Sequence, residues 1–357
     1  MATSTINYKG NTYAGEVLED LLVYSVHGCD TFEKGLIHIK PGVQKKLVLP
    51  HIQLGKIIQP NLATPTSSQG GPGSGTDNQY NLSERYLEPA DFMVYLEFNP
   101  RDYEEYWKPF QPDGPLIFRE LDSDVQITML HELIDKKDQY INDAIWMSRK
   151  GGVGSEAIDS PAHATQPGGD SAAGPMKFFN GALVRVLENV KTGASENEKA
   201  SGQVLISGNT DLTTGEQVEA ALYATWMKCQ KHVRKSKKLK FVMNWETWDL
   251  YDQYLTKKEV KYVDNSVENK RTFKGKEIVV IDGFPEHTIM LGKFSSDKDS
   301  CLWMAVDYAT DETSVKVERL QANSELYFFQ MRLKMDVNIV LPSEIVVWTS
   351  YKNHEAA

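Results

Sequence analysis

The chain has 357 residues, of which 41% are hydrophobic, so it can bury a sizeable core and is expected to divide into about two domains. Its net charge of -10 argues against a protein whose main task is to neutralise phosphates over a broad surface. The N-terminus lacks the basic and apolar regions of a signal peptide, and no apolar run approaches the ~18 residues of a membrane span. We therefore expect a soluble protein without membrane contact.

The N-terminal part of the sequence is typical of arms and strands with little core of their own. Residues 1–13 are polar, and apolar residues at helical spacing follow at 15–26, which predicts an extended arm and a short helix. Strand patterns at 36–39 and 43–52 flank the dipeptide Pro41-Gly42, which predicts a turn.

Between residues 64 and 175, flexible segments alternate with a predicted strand and a predicted helix. Residues 64–78 contain almost no apolar side chain and cannot offset the entropy cost of ordering, so they are predicted to form a flexible loop tip. Residues 92–98 predict a strand with both faces at least partly covered. An apolar stripe over 121–149 predicts a helix of about 40 Å, and the Gly-, Ala-, Ser- and Pro-rich segment 151–175 follows it.

The C-terminal half has a mixed α/β pattern. Strands are predicted at 204–207, 239–243 and 277–281, and helices at 214–234 and 245–255.

The clearest periodicity comes last. Apolar residues alternate with polar ones from Tyr327 to Ile339, which predicts one strand with one solvent-facing side. This strand far exceeds the usual length of about 5–6 residues. After Pro342 the chain returns through the apolar residues 345–348.

Motifs that would carry chemistry are incomplete, and we predict no catalytic, cofactor-binding or metal-binding site. The helix motif that begins at His131 lacks the second histidine of a zinc protease, and the glycines at 70–75 lack the lysine of a phosphate-binding loop. Cys29, Cys229 and Cys301 fit neither a zinc site nor paired disulfides, so reduced thiols in a protein made in a cytoplasm are expected.

Two further clusters have competing interpretations. Aromatic side chains at 245–254 could stack on sugars, but their spacing favours packing of a helix against a sheet. A dense basic run could contact nucleic acid or an acidic partner, although cations are also favoured at a helix C-terminus by its dipole. The run comprises Lys228, Lys231, Arg234, Lys235, Lys237 and Lys238.

The order of the segments resembles a known family over nearly the whole chain. The likeness rests on the strand 239–243 with the helix 245–255, on the apolar strand 277–281 followed by the turn at Pro285, and on the closing strands from Phe329 to 347. These patterns resemble the major capsid proteins of tailed bacteriophages, which have the Hong Kong 97-like fold. The resemblance implies an α+β fold with an N-terminal arm, an extended loop, a long spine helix, and peripheral and axial domains.

The resemblance also implies how the chain divides. The expected parts are an N-terminal arm with a short helix at 1–42, an extended loop hairpin at 43–100 with its tip at 64–80, a peripheral domain at 101–175 that contains the spine helix 121–149 and the segment 151–175, a mainly axial α/β domain at 176–325, and a long strand at 326–357 that returns to the peripheral domain.

The function implied by the resemblance is structural and not enzymatic. Identical subunits would form pentamers and hexamers of an icosahedral shell that encloses double-stranded DNA without sequence-specific binding, made in the bacterial cytoplasm and found in the virion. Portal and decoration proteins are expected partners. Because the chain begins only a few residues before its N-terminal arm, assembly is expected to need either a separate scaffolding protein or none. The residues expected at contacts between subunits are Lys45, Lys46, Tyr80, Arg85, Tyr86, Phe92 and Tyr95.

Three alternatives stay open at the level of sequence. An encapsulin-like nanocompartment would enclose a cargo enzyme, although its members are usually shorter. A soluble cytoplasmic enzyme could have site residues too scattered to recognise. A sugar-binding module would use the helix that begins at Trp245.

Overall fold

The computed structural model describes residues 11–13, 30–54, 80–99, 123–150, 158–159, 178–191, 204–257, 271–307, 315–319 and 326–353. The helix predicted at 15–26 and the loop tip predicted at 64–78 lie outside these residues, as does the segment 151–175 apart from 158–159.

The secondary structure alternates between strands and a few helices. The helices are α1 (Asp30–Glu33), α2 (Ser123–Met147), α3 (Ala182–Glu188), α4 (Gly215–Lys228) and α5 (Trp245–Lys257). The strands are β1 (Asn11–Tyr13), β2 (His38–Pro41), β3 (Leu47–Leu54), β4 (Tyr80–Leu87), β5 (Ala90–Phe98), β6 (Ile158–Asp159), β7 (Val190–Lys191), β8 (Val204–Gly208), β9 (Leu239–Met243), β10 (Thr272–Phe273), β11 (Lys276–Val280), β12 (Ile289–Lys293), β13 (Leu302–Val306), β14 (Val315–Arg319), β15 (Tyr327–Ile339), β16 (Val346–Trp348) and β17 (Lys352–Asn353).

A seven-stranded mixed sheet forms the α/β part, in the order β10-β11-β9-β12-β16-β8-β7. Alternate residues of its strands point into two different apolar clusters. In β9, Phe241 and Met243 pack with α4 and α5, whereas Val242 belongs to the cluster on the opposite face. Because both faces are covered, the central strands carry apolar side chains on both faces, as expected for a buried sheet.

A second sheet has the order β1-β14-β15-β13-β2, and β5 also pairs with β15. The 13 residues of β15 pair with different strands along their length. Its first part pairs with β14 and β5, and residues Met335 to Ile339 pair with β13. The side chains of Met335, Val337 and Ile339 enter the large core beside α2 and the first sheet. One strand thus joins an outlying sheet to the central core.

Helix α2 confirms the helix predicted at 121–149, and its C-terminal half is fixed by a buried polar network. The Trp146 indole donates to Thr31 Oγ1 at 3.0 Å, and the Thr31 hydroxyl donates to Asn142 Oδ1 at 2.5 Å. Trp146 also packs edge-to-face on Phe284 with ring centroids 4.8 Å apart. The network ties α1, α2 and the loop after β11 into one unit.

Three expectations about individual elements are wrong. The helix predicted at 214–234 ends at Lys228, because Cys229 has extended backbone angles and Arg234 folds back to the last carbonyls. The polar side of β15 is not fully solvent-facing, since Asp336 is only 2% exposed. In the described part of the chain, the face of β5 that carries Met93 is left largely exposed, since Met93 is 56% exposed.

Candidate assembly surfaces

Strands β3 and β4 lie in the segment predicted as the extended loop hairpin, and they form a two-stranded antiparallel hairpin. We call this hairpin the arm; it is distinct from the N-terminal arm predicted at 1–42. The register runs from Leu47 opposite Leu87 to Leu54 opposite Tyr80. Eight residues in each strand span about 27 Å. Within the described part of the chain, these two strands form ladder pairs only with each other. An isolated two-stranded hairpin is marginally stable in water, so its base must be held by other elements.

A small apolar cluster holds the base of the arm. Leu49 and Leu87 are buried at 7% and 0% exposure, and they pack with Val43 and Ala305. Further apolar side chains pack against this cluster from partly buried positions; they are Leu47, Trp303 and Val340. The arm therefore begins from the edge of the second sheet.

Polar contacts complete the attachment, and we call this set the arm joint. Its members are Arg85, Tyr86, Glu88, Arg185, Asn189, Asp336 and Asn338. The Glu88 backbone N–H donates to Asp336 Oδ2 at 2.7 Å, and Asn338 Nδ2 donates to the Tyr86 carbonyl at 2.7 Å. Arg85 Nη2 donates to Asn189 Oδ1 at 3.0 Å. The buried polar residues of β15 thus bind the arm instead of facing water.

The arm joint contains charges of both signs. Arg185 Nη2 lies 3.6 Å from Asp336 Oδ1, and its Nη1 lies 3.7 Å from Glu188 Oε2. Burial raises the pKa of Asp336 to about 6, although the Glu88 N–H and Arg185 act in the opposite direction. Burial, followed by repulsion from Arg185, lowers the pKa of Arg85. Desolvation is therefore the main electrostatic cost of this joint.

Five of the residues predicted at subunit contacts lie on the arm or just before it. Lys45, Lys46 and Tyr86 are exposed. Lys46 Nζ lies 3.6 Å from the Tyr86 ring centroid and 3.0 Å from Glu88 Oε1. Arg85 instead points into the arm joint. Tyr80 begins β4 at the far end of the described arm.

The other two predicted contact residues lie on β5. Phe92 is partly buried and stacks on Phe178 with centroids 5.4 Å apart. Tyr95 is 44% exposed, and its hydroxyl donates to Glu97 Oε1 at 2.5 Å. For all seven residues, participation in a subunit contact remains a prediction.

An exposed apolar face surrounds Tyr95. Met93 and Tyr95 are 56% and 44% exposed and share one face of the strand, and Leu96 on the opposite face is 46% exposed. In the described sheet, β5 pairs with β15 alone, so its other edge presents unpaired backbone groups. Exposed apolar side chains on an edge strand favour contact with another protein surface.

A second exposed apolar face lies on α4 and was missed by sequence reasoning. Tyr223 and Met227 are 50% and 53% exposed and lie one helical turn apart. Lys274 Nζ lies 5.5 Å from the Tyr223 ring centroid. The sequence did contain a signal for this face, because Tyr223 and Met227 lie away from the buried stripe of α4. The buried stripe consists of Val218, Ala221, Leu222 and Thr225.

The aromatic residues of α5 mostly pack, as the spacing favoured. Tyr251 is 6% exposed, whereas Trp245 is 42% exposed. The Arg271 guanidinium covers Trp245 at 4.6 Å and Trp248 at 5.1 Å from the ring centroids. A cation therefore lies over one face of each of these two rings.

The predicted basic run lies at the end of α4 and the turn that follows. Arg234 Nε and Nη2 donate to the carbonyls of Cys229 and Met227 at 3.0 and 2.6 Å, which confirms the helix-terminus interpretation for this residue. Lys238 pairs with Asp297 at 2.8 Å. The exposed members of the run are Lys228, Lys231, Lys235 and Lys237. A role of these lysines in nucleic-acid contact remains a prediction.

The described cysteines are unreactive by environment. Cys229 and Cys301 are 3% and 0% exposed. Burial raises the pKa of Cys229 to about 11, and it raises the pKa of Cys301 as well. Among the described residues, no group of three or more His, Cys, Asp or Glu side chains could hold a metal ion. Of the described helices, none is long and apolar enough to cross a membrane.

Comparison with known proteins identifies the fold. No protein-family model matches the sequence, and no curated protein matches it either. A chain of the satellite phage P4 procapsid has a TM-score of 0.55 at 12% identity, with 96% of this chain and 93% of that chain covered.

Two other solved structures similar to this chain are capsids of a GTA particle. The empty particle gives a TM-score of 0.51 at 10% identity, with 98% of this chain and 94% of that chain covered. The native particle gives 0.52 at 11% identity, with 89% of each chain covered. Such coverage includes both sheets and the helices between them. The chain therefore has the Hong Kong 97-like capsid fold that its sequence predicted.

Proposed function

We propose that this chain is a major capsid protein whose copies assemble into pentamers and hexamers of an icosahedral shell around double-stranded DNA. The main support is the combination of a capsid fold with an arm whose apolar attachment, among the residues that the structure describes, is one small cluster. The shell would be part of a virion. Scaffolding, portal and decoration proteins are partners within this proposal.

The energetics of the arm support assembly. In the described residues, its apolar attachment is limited to the cluster around Leu49 and Leu87. A two-stranded hairpin about 27 Å long is only marginally stable unless another surface covers it. A neighbouring copy of the chain is the partner that a closed shell supplies at every position.

Two exposed apolar faces support the same proposal. The β5 face around Met93 and the α4 face around Met227 lie on different sheets of the fold. Fully burying an exposed side chain of this size contributes about 1.5–3 kcal/mol, and these side chains are already about half buried, so each contributes about 1 kcal/mol. A contact repeated throughout a shell can therefore produce a durable assembly from weak individual contacts.

Shell formation tests the proposal directly. Electron microscopy and sedimentation of the expressed chain should show shells, tubes or capsomers. Met227→Lys should yield folded but unassembled subunits, because an ammonium group would be buried at the contact. Gln253→Lys adds the same charge at an exposed polar position of α5 and should assemble normally. A wild-type chain that stays monomeric at high concentration would contradict the proposal.

The contents of particles from the native source separate the shell functions. Nuclease-protected double-stranded DNA would support the phage capsid, whereas a single co-purified enzyme would indicate a nanocompartment. The acidic chain agrees with a container that does not grip its genome tightly.

A further inference from the structure

Asp336 occupies an unusual position for a carboxylate. It lies on β15 at 2% exposure, between the base of the arm and α3. Its oxygens contact a backbone N–H of the segment that follows β4 and the guanidinium of Arg185. If the arm lifted from the body, this carboxyl group would gain access to water.

The backbone N–H groups of Glu88 and Val337 and the Arg185 guanidinium all favour the ionised form of Asp336, but together they outweigh only part of the cost of burying its charge. Arg185 approaches Asp336 only to 3.6 Å, and it also lies 3.7 Å from Glu188. The Nε atom of Arg185 has no hydrogen-bond partner among the described residues. The bond from the Glu88 N–H does not require the charge, because the carbonyl oxygen of a protonated carboxyl group also accepts a hydrogen bond. A neutral Asp336 therefore suits the closed joint better than an ionised one.

We propose that the arm joint is a pH-sensitive hinge, in which protonation of Asp336 tightens the attachment of the arm to the body of the subunit. Acid therefore favours the closed joint, and neutral pH loosens it. This direction is opposite to that of a surface ion pair, which acid breaks. The hinge lies within one chain, so the inference does not depend on shell formation.

Several charged side chains surround Asp336. Arg185 and Glu188 face it from α3, and Arg85 and Glu88 face it from the arm. Along β15, the nearest charged side chain on the same side is Lys334, which lies 3.7 Å from Asp307 and 3.5 Å from Asp91. Burial raises the pKa of Asp336 to about 6, which lies between pH 7.5 and 5.0, so we assign the change at this joint in that range to Asp336.

The size of the effect follows from linkage. Burial raises the pKa of Asp336 from 3.8 to about 6 in the closed joint. The closed state therefore binds the proton more tightly than an open state in which the carboxyl group is hydrated. Lowering the pH from 7.5 to 5.0 shifts the equilibrium toward the closed joint by about tenfold. Most of this shift occurs below about pH 6.

Hydrogen exchange at the Glu88 amide measures the hinge directly, because this N–H is the donor to Asp336. The full chain is held unassembled at low concentration, and overlapping peptides that include residue 88 are followed by mass spectrometry. Protection factors, in which the intrinsic exchange rate at each pH is divided out, should rise about tenfold from pH 7.5 to 5.0.

Three variants test whether the pH dependence of Glu88 protection comes from Asp336. Asp336→Asn should remove the pH dependence of Glu88 protection. Asp143→Asn is the matched control, because burial also raises the pKa of Asp143 to about 6 at a site on α2 outside the arm joint. It should leave the tenfold rise intact. Arg185→Gln removes the partial counter-ion and should move the onset of the rise to higher pH, which keeps the test available if Asp336→Asn does not fold.

Two outcomes would overturn the hinge. Protection at Glu88 that is constant or lower in acid in the wild-type chain would show that protonation does not close the joint. A rise that persists in Asp336→Asn would assign the pH response to another group.

Discussion

Two adjacent residues of β4 provide a sharp test of how the arm is built. Leu87 is 0% exposed and packs in the apolar cluster at the base of the arm, whereas Tyr86 is 38% exposed on the opposite face of the same strand. Successive side chains of a strand point to opposite faces, so the two truncations sample different surroundings at one place in the fold. We expect Leu87→Ala to destabilise the subunit and Tyr86→Ala to impair assembly instead.

The magnitudes follow from these environments. Leu87→Ala removes a fully buried side chain and leaves a cavity between Leu49, Val43 and Ala305, which should cost about 3 kcal/mol. Tyr86→Ala loses the contact with Lys46, 3.6 Å from the ring centroid, which is worth about 0.5–1 kcal/mol at an exposed site, and an exposed hydrogen bond from its hydroxyl to Glu84 Oε2 at 2.8 Å. The backbone carbonyl that Asn338 binds is retained in Tyr86→Ala.

Two measurements separate the effects. Denaturant unfolding of free subunits reports the free energy of unfolding, and amide protection across residues 84–88 shows whether the loss is local to the arm. Sedimentation then gives the fraction of each variant that assembles. Tyr86→Ala subunits should unfold almost as the wild type does yet form fewer shells.

The reasoning would be refuted if Leu87→Ala cost no more than Tyr86→Ala, because the apolar cluster would then not hold the arm. Normal assembly of Tyr86→Ala would remove this residue from the predicted subunit contacts. The two results are independent, so either part can fail alone.

Two further predictions concern the body of the subunit. In Gly215→Ala, the added methyl group would lie 2.2 Å from the Cβ of Tyr254, so α4 and α5 must move apart, and thermal unfolding should show a loss of about 1–3 kcal/mol. A normal melting temperature would contradict this close approach. Cys229 and Cys301 should react with a thiol reagent at pH 8 only after unfolding, because burial disfavours both thiolates. A Cys29→Ser variant isolates them, and rapid labelling of the native variant would contradict their burial.

The periodicity of apolar residues was sufficient to predict a strand or helix wherever one neighbouring layer determines which of its residues are buried. The alternation from Tyr327 to Ile339 predicted β15 with its correct bounds, and the strand at 239–243 coincides with β9. The apolar stripe over 121–149 predicted α2 to within two residues at each end. The order of these elements was also sufficient to predict the Hong Kong 97-like fold, because that order determines which layers can pack together.

Only the tertiary structure decided which element covers a given face. The polar residues of β15 predicted a solvent-facing side, but the arm and α3 cover Asp336 and Asn338. Met93 on β5 and Met227 on α4 are apolar yet exposed, because no described element of the chain lies over them. A sequence specifies the period of a strand or helix through local geometry, whereas burial depends on partners distant along the chain. For this reason the arm joint became visible only once β4, β15 and α3 were placed together.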